Sequence, residues 1–154
     1  MSRPAPAVPP LSDEQVISTL TRATIAFCLA LVAVLVLGVL FLVPNRSVTI
    51  TGLAIGVALG LWSWFGSWAV TANAMTRAGR SGSPVQDAAG RVLAVAYMGL
   101  AFAEVPALVG LVLARPADSD LGPLVVSVPI AIVAIIANAS GPGVVRRRLA
   151  RLRG

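Results

Sequence analysis

The sequence predicts an all-α polytopic membrane protein, with four transmembrane helices arranged as two antiparallel hairpins and both termini in the cytoplasm. Three observations predict it. Of the 154 residues, 57% are hydrophobic and only 12% are charged, whereas a soluble domain carries about 25% charged residues. The charges divide the chain into four apolar stretches, each long enough for the roughly 20 residues that a helix needs to cross about 30 Å of hydrocarbon. The twelve arginines are shared unequally between the two ends of those stretches.

Residues 1–21 read as a disordered or amphipathic cytoplasmic segment. Met1 to Pro10 holds four prolines, and Ser12 with Gln15 has the spacing of a capping box. Residues 22–143 form the transmembrane domain. No charge lies between Arg22 and Arg46, which places the first span at 23–43, ended by the Pro44-Asn45 turn. Its apolar run is longer than a signal-peptide core, and no small-x-small site follows it. Cys28 in this span reads as an inert buried thiol, and a single cysteine forms no disulfide within the chain.

The second span lies within 48–75, between Arg46 and Arg77. Gly52, Gly56 and Gly60 recur every four residues and give one small face, a helix-packing signal. Trp62, Trp64, Phe65 and Trp68 form an aromatic cluster that faces lipid or a neighbouring helix. Arg80, Pro84 and Asp87 belong to the loop that follows. Arg91 and Arg115 bracket the third span, 92–114, in which Glu104 is the sole charge. The fourth span, 121–139, has Pro123 near its start and Pro129 inside, where a kink is expected. Ser140-Gly141-Pro142-Gly143 ends it. Asn73 and Asn138, near the cytoplasmic helix ends, read as capping or interfacial groups. The basic tail, 144–154, carries Arg146, Arg147, Arg148, Arg151 and Arg153. It reads as a topology anchor at the membrane surface, where each basic residue gains about 1 kcal/mol on anionic lipid.

Orientation follows from the arginines. With four crossings, Arg3, Arg22, Arg77, Arg80, Arg91 and the five tail arginines share one side, and only Arg46 and Arg115 fall on the other. The positive-inside rule makes the rich side cytoplasmic. Arginine without lysine, amid abundant Ala, Val, Gly and Pro, points to a GC-rich genome and so to a bacterial inner membrane. The absence of His excludes His-based zinc sites and Ser-His-Asp chemistry. No phosphate loop, dinucleotide motif, nucleophile elbow or redox pair is present. Asp118 and Asp120 read as solvated loop acids, a poor metal site. No nucleic-acid fold accompanies the basic run, so the partners expected are membrane lipid and other membrane subunits.

Glu104 is the most informative residue. It lies near the middle of its span, and its side chain is too short to snorkel to the interface. An ionised group there costs on the order of 2.5–3.5 kcal/mol or more. Keeping the acid protonated avoids that cost, and so does a cation. No other charge in this chain lies at that depth, so an ionic partner has to come from another chain or from an ion. A carboxyl poised between its neutral and anionic forms is what a proton carrier needs. The alternative is a structural, neutral acid hydrogen-bonded to a neighbouring helix, with Ser63, Ser67, Thr71 and Ser127 as candidate partners.

The stretch from Gly99 to Leu113, GLAFAEVPALVGLVL, resembles the carboxylate helix of the subunit c proteolipids of F-type and V-type ATP synthases. Their pattern is close to G-x-A-x-x-E-A-L-x-L/I-x-G-L-V. The preceding RSGSPVQDAAG, Arg80 to Gly90, is similar to the family's short cytoplasmic loop, with Arg80, Pro84 and Asp87-Ala88-Ala89-Gly90 in correspondence. The resemblance covers residues 52–113, the second and third spans. It implies that Glu104 is the ion-carrying carboxylate, loaded and unloaded opposite an arginine of a stator subunit, in a homo-oligomeric ring. The chain itself would then perform no covalent catalysis, being at most the proton-translocating subunit of a rotary ATPase. No cofactor is implied. Sodium is disfavoured against the proton, because Val105 and Pro106 follow Glu104 and the second span has no Gln, whereas a hard cation needs several oxygens. The competing expectation is a non-catalytic four-helix accessory or assembly protein. It rests on the helices before and after the c-like pair, the bulky second span and the lack of the family's dense glycine run. A small transporter or channel is less favoured, since one intramembrane charge alone is available to line a path.

Overall fold

The computed structural model describes residues 11–42, 47–80, 88–114 and 120–153. Five helices account for them: α1 (Asp13–Leu37), α2 (Ile50–Arg80), α3 (Ala88–Leu113), α4 (Gly122–Ala134) and α5 (Pro142–Arg153). A π-helical stretch prolongs α1 over Gly38–Leu42, and another prolongs α4 over Ile135–Ser140. Four helical segments are long and apolar enough to cross a membrane: Asp13–Leu40, Ile50–Ala78, Ala88–Leu113 and Gly122–Arg153. The protein is thus all-helical and of membrane type by length and composition.

α1 starts where a side chain can take over its first N–H groups. Ser12 Oγ accepts from the Gln15 amide at 3.2 Å, and Gln15 Oε1 accepts from the Ser12 amide at 2.9 Å, a complete capping box. Asp13 and Glu14 in the first turn complement the helix dipole. Residues 13–21 are therefore the opening turns of α1. Val16 and Leu20 there are buried in one cluster with Ala89, Val92, Ala96, Val145 and Leu149.

The interhelical contacts define the packing. α2 runs antiparallel to α3: Ser63 Oγ donates to the Ala103 carbonyl at 2.5 Å, and farther along Arg91 donates to that of Ala78. α2 runs parallel to α4, with Gly52 against Gly122, Gly60 against Ile130 and the Trp64 carbonyl accepting from Asn138 at 3.1 Å. α3 and α4 are antiparallel, since Gly110 meets Ser127 and Gly99 meets Ala139. α1 lies on α3, α4 and α5 rather than broadly on α2. Thr24 Oγ1 donates to Ser140 Oγ at 2.5 Å, and Gly38 abuts Leu111 and Leu124. The main apolar core sits between α1, α3 and α4, around Leu31, Leu100, Ala103, Ala107, Leu124, Val128 and Ile135.

This packing sorts the molecule into two ends. Asp13 forms an ion pair with Arg153, so the start of α1 and the end of α5 meet. The end of α2 and the start of α3, tied by Arg91, lie at that same end with Ala89 and Val92. At the opposite end Ser47 pairs with Asp120 through a short parallel bridge, and the Leu121 amide donates to the Ser47 carbonyl at 2.8 Å.

Several expectations are corrected. Asp120 is not simply a solvated loop acid. Its carboxylate accepts from the Thr49 hydroxyl, from the Thr49 amide at 3.2 Å and from the Gly122 amide at 2.8 Å. It ties the start of α4, through the Gly122 amide, to Thr49, whose own hydroxyl accepts from the Gly52 amide of α2 at 2.9 Å. These bonds, the Thr49 hydroxyl first, hold its carboxyl below the usual aspartate range. Arg80, expected in a loop, is the last residue of α2. Pro84, Asp87 and Asp118 lie outside the described residues. Helix α4 is assigned continuously through Pro129, and the irregular stretch comes later, at Ile135–Ser140. Gly141, with ψ of 140°, then ends it. The basic tail is a helix, α5, whose Val145 and Leu149 are buried.

Candidate functional site

The candidate site is built on α3. Successive residues of a helix are 100° apart, so position decides environment. Leu100, Ala103, Ala107 and Gly110 are buried, whereas Tyr97, Ala101, Val105 and Leu108 are exposed. Glu104 falls on the border between the two faces and is half-buried. It lies one turn beyond Leu100 and about 20° round the helix from Leu111. Leu100 clusters with Leu31, and Leu111 meets Gly38. Glu104 therefore edges the groove between α1 and α3, with its other flank open.

No hydrogen bond or ion pair reaches the Glu104 carboxyl among the described residues. Its expected partners are engaged elsewhere or sit elsewhere. Ser63 Oγ is spent on the Ala103 carbonyl. Ser67 Oγ donates to the Trp64 carbonyl at 3.1 Å, and Thr71 Oγ1 to those of Ser67 and Trp68 at 2.8 and 3.0 Å. Ser127 Oγ is buried with no partner among the described residues, but it faces Gly110, about 9 Å along α3 from Glu104. The one arginine on α3, Arg91, is about 20 Å away along the axis and bonds Ala78. Ionised in hydrocarbon, a carboxylate so placed costs on the order of 2.5–3.5 kcal/mol. Chemically the group can hold a proton, and can release it when a cation approaches from outside the chain. No cluster of metal-ligating side chains exists among the described residues.

The other sequence-derived residues lie apart from Glu104. Gly52, Gly56 and Gly60 form the seam with α4. A side-chain carbon on Gly56 would lie 2.8 Å from both the Gly122 carbonyl oxygen and Val126 Cβ. Trp62, Phe65 and Trp68 point outward, whereas Trp64 packs against the core. The tail arginines divide into two groups. Arg146 and Arg153 line a cleft with Asp13 and Glu14. Arg147, Arg148 and Arg151 line a cavity against α2.

Two roles are visible only in three dimensions. Arg148 donates to the Ala139 carbonyl at 2.7 Å and to that of Asn138, closing the carbonyl end of the fourth span. Asn138, expected as a capping or interfacial group, joins α4 to α2 through the Trp64 carbonyl and, at 3.3 Å, through Ser67 Oγ. The signal for Arg148 was the helix-breaking Ser140-Gly141-Pro142-Gly143, which leaves carbonyls that a nearby arginine can satisfy. No family model, curated protein or solved structure matches this chain.

Proposed function

We propose that this chain is an integral membrane subunit that carries protons on Glu104. It would act in an oligomer with copies of itself or with other membrane subunits, in the manner of the subunit c proteolipids that its second and third helices resemble. One observation supports this most: a half-exposed carboxyl in the middle of α3 has no partner among the described residues. A structural acid would be hydrogen-bonded within its own bundle. A carrier has to leave its carboxyl accessible to a proton and to a cation on another chain, for which a stator arginine is the family's solution. The arginine-rich end is then the cytoplasmic face of a bacterial inner membrane. The four crossings then alternate in direction, although α1 packs on α3, α4 and α5 rather than forming a closed hairpin with α2.

A second reading, a non-catalytic accessory subunit, is favoured by the glycine seam. Gly56 and Gly60 are already filled by α4 of the same chain and Gly52 by Asp120 just before it, so this face is not available to line a ring.

Proton flux in reconstituted vesicles decides between them. Glu104→Gln is expected to abolish flux, and a hydrophobic carbodiimide is expected to label Glu104 selectively. Unchanged flux in the inserted mutant refutes the carrier and leaves the accessory reading.

A further inference from the structure

We propose that the cavity between α2, the π-helical end of α4 and α5 binds the phosphate of an anionic phospholipid headgroup. The buried ridge of α5, Val145 and Leu149, separates its arginines into two flanks. Arg146 and Arg153 lie beside Asp13 and Glu14. Arg147, Arg148 and Arg151 line an open cavity of 480 Å³ with Trp68, Thr76 and Asn138, and no acidic side chain among the described residues lines it. That volume is in the range of roughly 300–1,000 Å³ typical of small-ligand sites.

Three cations with no counter-ion among the described residues repel one another, and an anion removes that penalty. Arg148 is the fixed member, since its donors close the end of the fourth span on Ala139 and Asn138. Arg147 spends its Nε on the Gly143 carbonyl at 3.2 Å. Arg151 makes no hydrogen bond or ion pair among the described residues. One helical turn apart, these two present guanidinium forks to the same volume, the geometry that suits phosphate oxygens.

The cavity is also joined to an apolar track, which argues for a lipid over a soluble anion. Trp68, 59% exposed, is at once part of its wall and the end of an outward stripe that continues through Phe65 and Leu61 along α2. Residues at these spacings share one helix face. A phosphate held by Arg147 and Arg151 would place acyl chains on that stripe. Basic pockets between helices at the arginine-rich face are suited to such headgroups.

The test is native mass spectrometry of the full chain in detergent, titrated with phosphatidylglycerol and with phosphatidylcholine of the same acyl chains. Wild type is expected to bind phosphatidylglycerol at least about tenfold more tightly. The double variant R147Q/R151Q is expected to lose that preference, whereas R146Q/R153Q, which removes the same charge, keeps it. Arg148 is left intact because it caps the fourth span. Equal losses in the two double variants would show a diffuse basic surface and overturn the proposal. So would a wild type that does not distinguish the two lipids, a measurement that needs no variant to fold. Displacement of phosphatidylglycerol by millimolar inorganic phosphate at constant ionic strength would reassign the cavity to a soluble anion and overturn the lipid. Glu104→Gln is expected to leave lipid binding unchanged, so this site stands or falls independently of proton transport.

Discussion

Replacing Gly122 by Ala tests the parallel pairing of α2 and α4 directly. A side-chain carbon at Gly122 would lie 2.5 Å from the Gly52 carbonyl carbon, 2.6 Å from the Leu53 nitrogen and 2.9 Å from Gly52 Cα. All three are backbone atoms, so no rotamer relieves the clash. Ordinary contact begins at 3.4 Å, and the closest atom falls short of it by 0.9 Å. The two helices have to separate by about that amount, and a gap of 0.5–1 Å already forfeits about a quarter to a half of each dispersion contact. Overpacking of this kind costs about 1–3 kcal/mol. Gly122 opens α4, where the gain in helix propensity from Ala is small, so a net loss of about 2 kcal/mol is expected. Gly143→Ala is the matched control: nothing lies within 4 Å of the added carbon, and it sits in α5. Gly143 also lies in a first turn, so that variant is expected to be neutral within about 0.5 kcal/mol. Both are read by denaturant titration in mixed micelles. A G122A protein as stable as wild type would falsify the close α2–α4 seam.

Asp120→Asn keeps an acceptor but removes its charge, and is expected to destabilise the protein by at most about 1 kcal/mol at neutral pH, the difference between a charged and a neutral acceptor. Because folding lowers the Asp120 pKa, its contribution is present above the unfolded value of about 3.9 and is lost as pH falls through the folded one. The gap between variant and wild type should therefore close in acid; a gap constant with pH would contradict the cap. Ser127→Ala, which deletes a buried hydroxyl with no partner among the described residues, is expected to leave the melting temperature unchanged or raise it, and a loss above about 1 kcal/mol would reveal a hidden partner. Asn138→Ala removes the bonds to Trp64 and Ser67 and is expected to cost about 0.6–1.7 kcal/mol in the same micelle titration; no loss would mean that these bonds are not made in the membrane.

What was legible in the sequence was local. Charges bracketing apolar runs located the four long helices, and Ser12 and Gln15, three residues apart, announced their own cap. The glycine spacing showed a packing face but not its occupant, because α2 pairs in parallel with a helix that is not its neighbour in the chain. Asp120 was misread because its partner, Thr49, is 71 residues away. α5 was read as a charged tail although Val145, Leu149 and Leu152 recur at helical spacing, a signal that the arginine density obscured. For Glu104 the position was legible and the surroundings were not. Hydroxyls in apolar helices commonly satisfy themselves on their own backbone, as Ser67 and Thr71 do. Ser63 instead finds a carbonyl across the α2–α3 contact.

These surroundings constrain any partner of Glu104 more tightly than its depth does. On one flank of the acid α1 reaches α3, at Leu111 about 20° round the helix and in the cluster that holds Leu100. The glycine face of α2 is filled by α4 of the same chain. What remains beside the acid is the outward face of α3, where Tyr97 lies two turns before it and Leu108 one turn after it, about 20° and 40° round the helix. On the carrier reading, a cation that meets Glu104 at its own depth would arrive across that face. On the carrier reading proposed above, the glycine face of α2 and the carboxyl face of α3 therefore serve different contacts in this chain. The first is filled within the chain itself, and on that reading the second would be the face that another chain meets.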